Sequence, residues 1–428
     1  MKWRIRGLTA VADPIRLPGD KSITHRALLI GALAAGDTRI RGASWSDDCR
    51  SSLTCLAALG VRHEFSRSGS LIVHGSGGTL RPAFLLDCGN SGTTMRLLAG
   101  ILAGQPFRSR LDGDQSLRAR PMERIAVPLR AMGARVATAD GRPPLVVDGG
   151  GLHGIDWHTE VASAQVKSAI LLAALSADGP TTVHEPAQSR DHTERLLAAA
   201  GARIRTGLCV ATLVPAGPLS ALDVAIPFDF SAAAYWLAAA IAVDGSSVTL
   251  AGVGLNPTRI GLLDALQRMG GACALSDVRS AGGEPVGVVS ARSSDLVGIT
   301  VGGAEIPRLI DELPVLAVLA TAARGQTIIR DAAELRVKES DRIEAMTTGL
   351  RRFGADIQAL PDGWLINGPT RLTAAQVDCK GDHRVAMALA VAALMAEGIS
   401  EIVGVETVSV SDPLFAANLA ACGALADS

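Results

Sequence analysis

Positive side chains stand in this sequence where a helix ordinarily favours negative ones. In "PGDKSITHRALLIGALAAG", residues 18–36, Lys21, Ser22, His25 and Arg26 open an otherwise apolar helix pattern. A helix N-terminus already carries partial positive charge, so cations there are destabilising unless an anion joins them. Comparable fronts recur: Asn90 to Thr93 with Gly92 bare of a side chain, Ser163, Ala164 and Gln165, and His383 with Arg384. Arg120, Arg190, Lys338 and Arg342 hold corresponding places on shorter helix patterns. Helix caps should be Ser, Thr, Asp or Asn, so this set reads as anion binding rather than capping, for a ligand set with several negative charges. One front differs. "LIDELPVLAVLA" carries Asp311 and Glu312, and Glu339 sits in "ELRVKESDR". A carboxylate facing a cationic pocket can take a proton from a substrate hydroxyl while lysines shuttle protons; Asp311 as a simple N-cap is the equal alternative. His25 reads as a core histidine.

The elements that must hold these residues form a repeat. Six segments run from a polar start through apolar residues to a glycine: residues 18–36, "GNSGTTMRLLAGILAG", "ASAQVKSAILLAALSADG", "FDFSAAAYWLAAAIAVDG", "LIDELPVLAVLATAARG" and "GDHRVAMALAVAALMAEG". Apolar side chains all round mark helices buried on every side. A β-like stretch follows each, then an amphipathic helix ending in Gly60, Gly133, Gly201, Gly270, Gly354 or Gly423, and usually a hairpin. The spacing of roughly 70 residues is too long for a solenoid and predicts a multi-element α/β unit used six times. At 428 residues the chain divides into two domains. Three buried helices per domain, wrapped by sheets, would bring the polar fronts to a cleft between them.

Composition narrows the function. The 41 basic and 42 acidic residues nearly cancel and aromatics are 3%, which disfavours nucleic acid. Seven cysteines with no CxxC pair predict free thiols in a reducing cytoplasm, and no cluster has zinc spacing, so no metal is expected. The N-terminus lacks a signal-peptide core, and stretches such as "AVAALMA" are too short for a membrane span. A soluble cytoplasmic monomer is expected.

Nine segments, in order, carry a resemblance: "LPGDKSITHRALLIGALAAG", "GNSGTTMRL", "DGDQSLRARPM", "ASAQVKSAILLAAL", "SRDHTERLL", "NPTR", "IDELPVLAV", "ELRVKESDR" and "DHRVAMALAV". The chain resembles the 3-phosphoshikimate 1-carboxyvinyltransferase family over essentially its whole length, in the form often termed class II. The resemblance implies enolpyruvyl transfer from phosphoenolpyruvate to the 5-hydroxyl of shikimate 3-phosphate, without metal or organic cofactor. It implies an α/β fold, a two-domain inside-out α/β barrel with three βαβαββ-type repeats per domain. One domain would span 15–226 and the other 1–14 plus 227–428, with the site in the cleft. Shikimate 3-phosphate would meet Lys21, Ser22, Arg26, Ser163, Ala164, Gln165, Arg190, Asp311 and Lys338. Phosphoenolpyruvate would meet Lys21, Gly92, Arg120, Gln165, Arg342 and Arg384. Asp311 would take the hydroxyl proton, Glu339 would exchange a proton at the methylene carbon, and Lys21 would help protonate the departing phosphate.

Two departures stand out. "TVSVSDPLF" lacks a lysine common in the family, and Phe228-Asp229 replaces the usual Gly-Asp. Gly92 leaves room for glyphosate where insensitive relatives often carry alanine. A UDP-N-acetylglucosamine 1-carboxyvinyltransferase would need a nucleotide-sugar pocket and commonly a reactive loop cysteine, which neither the cysteine positions nor "PGDKSITHR" supports. A non-catalytic anion-binding protein is disfavoured by Asp311, Lys338 and Glu339.

Overall fold

The computed structural model describes residues 1–426. It divides into two units: a first of residues 1–18, 228–279 and 285–428, and a second of residues 19–227 and 280–284. The divisions thus fall at Pro18/Gly19 and Pro227/Phe228, with a five-residue hairpin turn grouped in the second unit.

In the second unit the repeat is plainest in its middle copy. Strand Leu85–Asp87 leads into helix Gly92–Ala103, then strand Arg108–Asp112 parallel to the first. Helix Glu123–Ala131 follows, and a hairpin of Arg135–Ala139 with Arg142–Asp148 completes the sheet in the order first, second, fourth, third. Asp140 and Gly141 turn that hairpin at φ 51° and 77°, the positive values a two-residue hairpin turn requires. The next copy repeats the order with strand Asp156–His158 and helix Ala164–Ala174. The copy that starts the unit, with helix Lys21–Leu33, takes its first strand from Asp223–Ala225, parallel to Asp37–Arg41. Its sheet is therefore closed by the end of the segment.

The first unit repeats the scheme around helices Phe230–Ala242, Leu313–Ala322 and His383–Met395. Its last sheet is completed by Lys2–Arg6, antiparallel to Ile399–Val403. All six central helices are buried, Phe230–Ala242 at every residue through Ile241. Alanine and glycine make that packing possible. A Cβ on Gly100 would lie 2.2 Å from the Ala169 carbonyl oxygen, so helices Gly92–Ala103 and Ala164–Ala174 touch backbone to backbone. The six glycines that end the amphipathic helices all have positive φ, between 71° and 107°. Of the six glycines that end the central segments, Gly104 and Gly179 do not: Gly104 caps its helix in right-handed conformation (φ −86°), and Gly179 lies beyond the C-cap Leu175 of its helix.

Candidate active site

Capping and cation turn out not to compete. Asp20, Ser91, Ser163, Asp229 and Asp382 are ordinary N-caps whose side chains accept backbone N–H bonds. The cations follow one or more residues later, so the expectation of anion binding in place of capping is corrected: these helices are capped as well. Asp20 and Asp382 each place a negative charge beside the exposed N–H groups, which offsets the repulsion of Lys21 and Arg384.

Within the second unit the three fronts converge. Arg26, 3% exposed, donates from Nε to Thr193 Oγ1 at 2.6 Å, from Nη2 to Ser168 Oγ at 2.9 Å and from Nη1 to the Ser22 carbonyl at 2.9 Å. All three partners are neutral. Burial, with Arg190 adding repulsion and Glu194 partly offsetting it, pushes this guanidinium down to about 10, so it stays charged at neutral pH but has no bonded anion among the described residues. Lys21 Nζ pairs with the buried Asp48 at 2.9 Å. Gln165 accepts from Arg96 Nη1 at 2.5 Å and donates to Thr93 Oγ1 at 2.8 Å, joining two central-helix fronts. Arg120 donates to Asn90 Oδ1 at 2.6 Å. A Cβ on Gly92 would stand 3.1 Å from both Arg120 Nη1 and Arg96 Nη1, so the glycine keeps the space before two guanidiniums clear. His25 shares a hydrogen bond with Ser52, and burial beside Lys21 and Arg26 holds its pKa well below the usual value. It is a neutral core histidine.

The first unit holds the acids. Asp311 does not cap its helix. The residue at that position is Glu312, without a side-chain cap bond. Asp311 instead spans Arg342 Nη1 at 3.4 Å and Arg384 Nη2 at 3.2 Å. Arg342, 1% exposed, also meets Glu339 at 2.6 Å and Asp382 at 2.8 Å. Burial alone would lower its pKa; Asp382, Glu339 and Asp311 outweigh that and raise it above the ordinary arginine value. Arg384 is raised in the same way, mainly by Asp311 against burial. Lys338 lies 3.7 Å from Glu334, and desolvation lowers its pKa, with Glu334 and Asp311 pulling it back. A lysine so placed gives up a proton more readily than one in water.

The departures also have structural answers. Phe228 forms a parallel bridge with Val253 while Asp229 caps its helix and pairs with Arg259 at 3.1 Å. Where the family's lysine is missing, a single 3₁₀ stretch, Val405–Val410, leads to the buried Asp412.

Within the second unit Lys21, Ser22, Arg26, Gly92, Ala164 and Gln165 stand at the N-terminal ends of adjoining central helices, with Ser163 as a cap; Asp311, Glu339, Arg342 and Arg384 gather in the first, Lys338 beside them. Of the four cations expected to open the shorter helices only Arg342 does: Arg120 lies between Gln115–Arg118 and Glu123–Ala131, Arg190 precedes the cap Asp191, and Lys338 follows the 3₁₀ stretch Ala333–Val337, because acidic or other caps take the positions at the helix starts. Sequence reasoning missed Asp48, Arg96, Ser168, Thr193 and Asp382. Arg96 was findable, since it lies one helical turn beyond Gly92 on the same front. Asp48 and Thr193 carry no local signal, because their partners are 27 and 167 residues away.

The family model for EPSP synthase (3-phosphoshikimate 1-carboxyvinyltransferase) matches residues 5–419. Proteins of that name from Acidithiobacillus ferrooxidans and Gloeobacter violaceus are 48% and 51% identical over 418 and 415 residues. The matches cover 97% and 96% of this chain and 96% of each relative. An EPSP synthase structure from Acinetobacter baumannii superposes with a TM-score of 0.87 at 41% identity, covering 99% of this chain and 98% of that one. The enolpyruvyl transferase NikO from Streptomyces tendae shares the fold at a TM-score of 0.78 and 18% identity, covering 99% and 97%.

Proposed function

The chain belongs to the EPSP synthase (3-phosphoshikimate 1-carboxyvinyltransferase) family, and from that premise we propose how its own residues divide the reaction. The enzyme transfers the enolpyruvyl group of phosphoenolpyruvate to the 5-hydroxyl of shikimate 3-phosphate, releasing phosphate, on the shikimate route to chorismate and the aromatic amino acids. A reducing cytoplasm suits its seven free thiols.

The observation that carries the assignment is Arg26, buried and, among the described residues, bonded only to neutral groups. A buried cation without an anion is costly, and a phosphate supplies what is missing through charge-assisted bonds of about 1.5–3 kcal/mol each. Arg26 with Lys21, Ser22, Ser163, Ala164, Gln165 and Arg190 takes shikimate 3-phosphate, and Lys338 and Asp311 complete its contacts. Gly92, Arg120, Gln165, Lys21, Arg342 and Arg384 take phosphoenolpyruvate. An incoming anion competes for Arg342 and so releases Glu339 from its 2.6 Å ion pair.

Addition then proceeds by acid–base steps. Asp311 removes the 5-hydroxyl proton as that oxygen bonds to the enol carbon, while Glu339, which takes up a proton from solvent once released from Arg342, delivers it to the methylene carbon. Elimination reverses the second transfer: Glu339 removes a methyl proton, the C–O bond to phosphate breaks, and Lys21 protonates the leaving group. Asp311→Asn preserves shape while abolishing the base. Calorimetry should find shikimate 3-phosphate binding kept within a few fold while turnover falls by about 10²–10⁴. Full turnover in that variant would remove Asp311 from the mechanism.

A further inference from the structure

Away from the substrate residues, one sheet of the second unit places three metal-ligating side chains on one face. Strand Asp156–His158 is the outermost strand and runs parallel to Thr181–His184, with Asp156 opposite Thr182 and His158 opposite His184. Side chains alternate along a strand, so Asp156, His158 and His184 share a face, while Trp157 and Val183 turn to the apolar core and anchor both strands. The two imidazoles stack with centroids 4.3 Å apart and planes 6° from parallel. His184 Nε2 lies 2.9 Å from Asp156 Oδ1, and His158 Nε2 lies 3.9 Å from the same oxygen. One ligand atom from each residue falls within 4.8 Å of the others. The two histidines are 26 residues apart in sequence, so strand pairing alone creates this cluster, which is why residue spacing gave no sign of it.

We propose that Asp156, His158 and His184 bind a single divalent transition metal of the zinc, cobalt, nickel and copper class. Two imidazoles and one carboxylate are a borderline donor set that favours these ions over magnesium or calcium, which take oxygen ligands. Metal–ligand bonds of about 2.0–2.2 Å require the three atoms to close by roughly an ångström, within reach of side-chain torsions. The side chains of His158 and Asp156 are 78% and 69% exposed and free to make that adjustment. Three protein ligands leave the remaining coordination positions to water.

Zinc chloride titrated into the chelator-treated full-length enzyme tests this. Calorimetry should give one equivalent whose affinity falls by more than about tenfold in both His158→Gln and His184→Gln. Cobalt should show ligand-field bands without thiolate charge transfer. In the unaltered protein, zinc should protect His158 and His184 from diethyl pyrocarbonate, read by mass spectrometry, but not His153, which has Asp178 as its partner and no second imidazole. Unchanged affinity in the variants, thiolate charge transfer, or protection of neither imidazole would each overturn the site.

Discussion

At the scale of single residues, each unit places charge where burial makes it expensive. Arg26 keeps its charge among hydroxyls and a carbonyl, and Arg342 keeps its charge by sharing three carboxylates. The first is short of an anion and ready to bind one. The second already holds three carboxylates, so under the proposed assignment a ligand there must displace one. At Gly92 a single methyl group would reach two guanidiniums at once. Its Cβ would press on two guanidinium groups at 3.1 Å, tighter than ordinary contact but against the flexible ends of side chains. Gly92→Ala should therefore fold normally, raise the KM for phosphoenolpyruvate by about tenfold and weaken competitive inhibition by glyphosate further, because misplaced positioning groups cost rate and affinity steeply. Steady-state kinetics with both ligands reads this directly. An unchanged KM and unchanged inhibition would mean Arg120 and Arg96 do not face the substrate.

At the scale of elements, the central helices gain their packing from small residues and their polarity from their caps. Gly100→Ala would improve helix propensity by about 1 kcal/mol. The new Cβ would nevertheless meet the Ala169 carbonyl at 2.2 Å, and two rigid backbones cannot give way cheaply. The clash wins, and thermal unfolding should show a lower melting temperature; an equal or higher one would contradict the backbone-to-backbone contact. Asp412 gives a pH-dependent counterpart. Burial pushes its carboxyl up from 3.8 to about 7, with Asp229 adding repulsion and the Leu414 N–H partly offsetting it. The folded state then holds a proton that the unfolded chain releases, so this contribution to stability is full below about pH 4 and lost as pH rises through 7. Asp412→Asn stays neutral throughout. Its melting temperature relative to the unaltered protein should rise by several degrees between pH 4 and pH 8, whereas a pH-independent difference would show that Asp412 is ionised in the fold.

At the scale of the whole chain, the repeat was the most legible feature, because a helix such as Phe230–Ala242 that is apolar all round has only one way to be buried. The succession of helix, strand, amphipathic helix and hairpin followed from the same pattern, but the order of the strands in each sheet and the short strand leading into each central helix did not. The closing strands did not: Asp223–Ala225 completes a sheet begun near residue 37, and no local periodicity marks it as that sheet's edge. Motif residues such as Arg342 and Arg384 were visible as cations at helix fronts, whereas Arg120, read the same way, lies in the stretch between two helices. Their carboxylate and hydroxyl partners were hidden, since Asp48, Thr193 and Asp382 look locally like caps or amphipathic surface and acquire meaning only from tertiary contacts. What the two units accomplish together is a question for chemistry. Purified enzyme given shikimate 3-phosphate and phosphoenolpyruvate should release phosphate in step with enolpyruvyl product, and none with UDP-N-acetylglucosamine as the acceptor. Phosphate release with the nucleotide sugar alone, or with neither acceptor, would contradict the account.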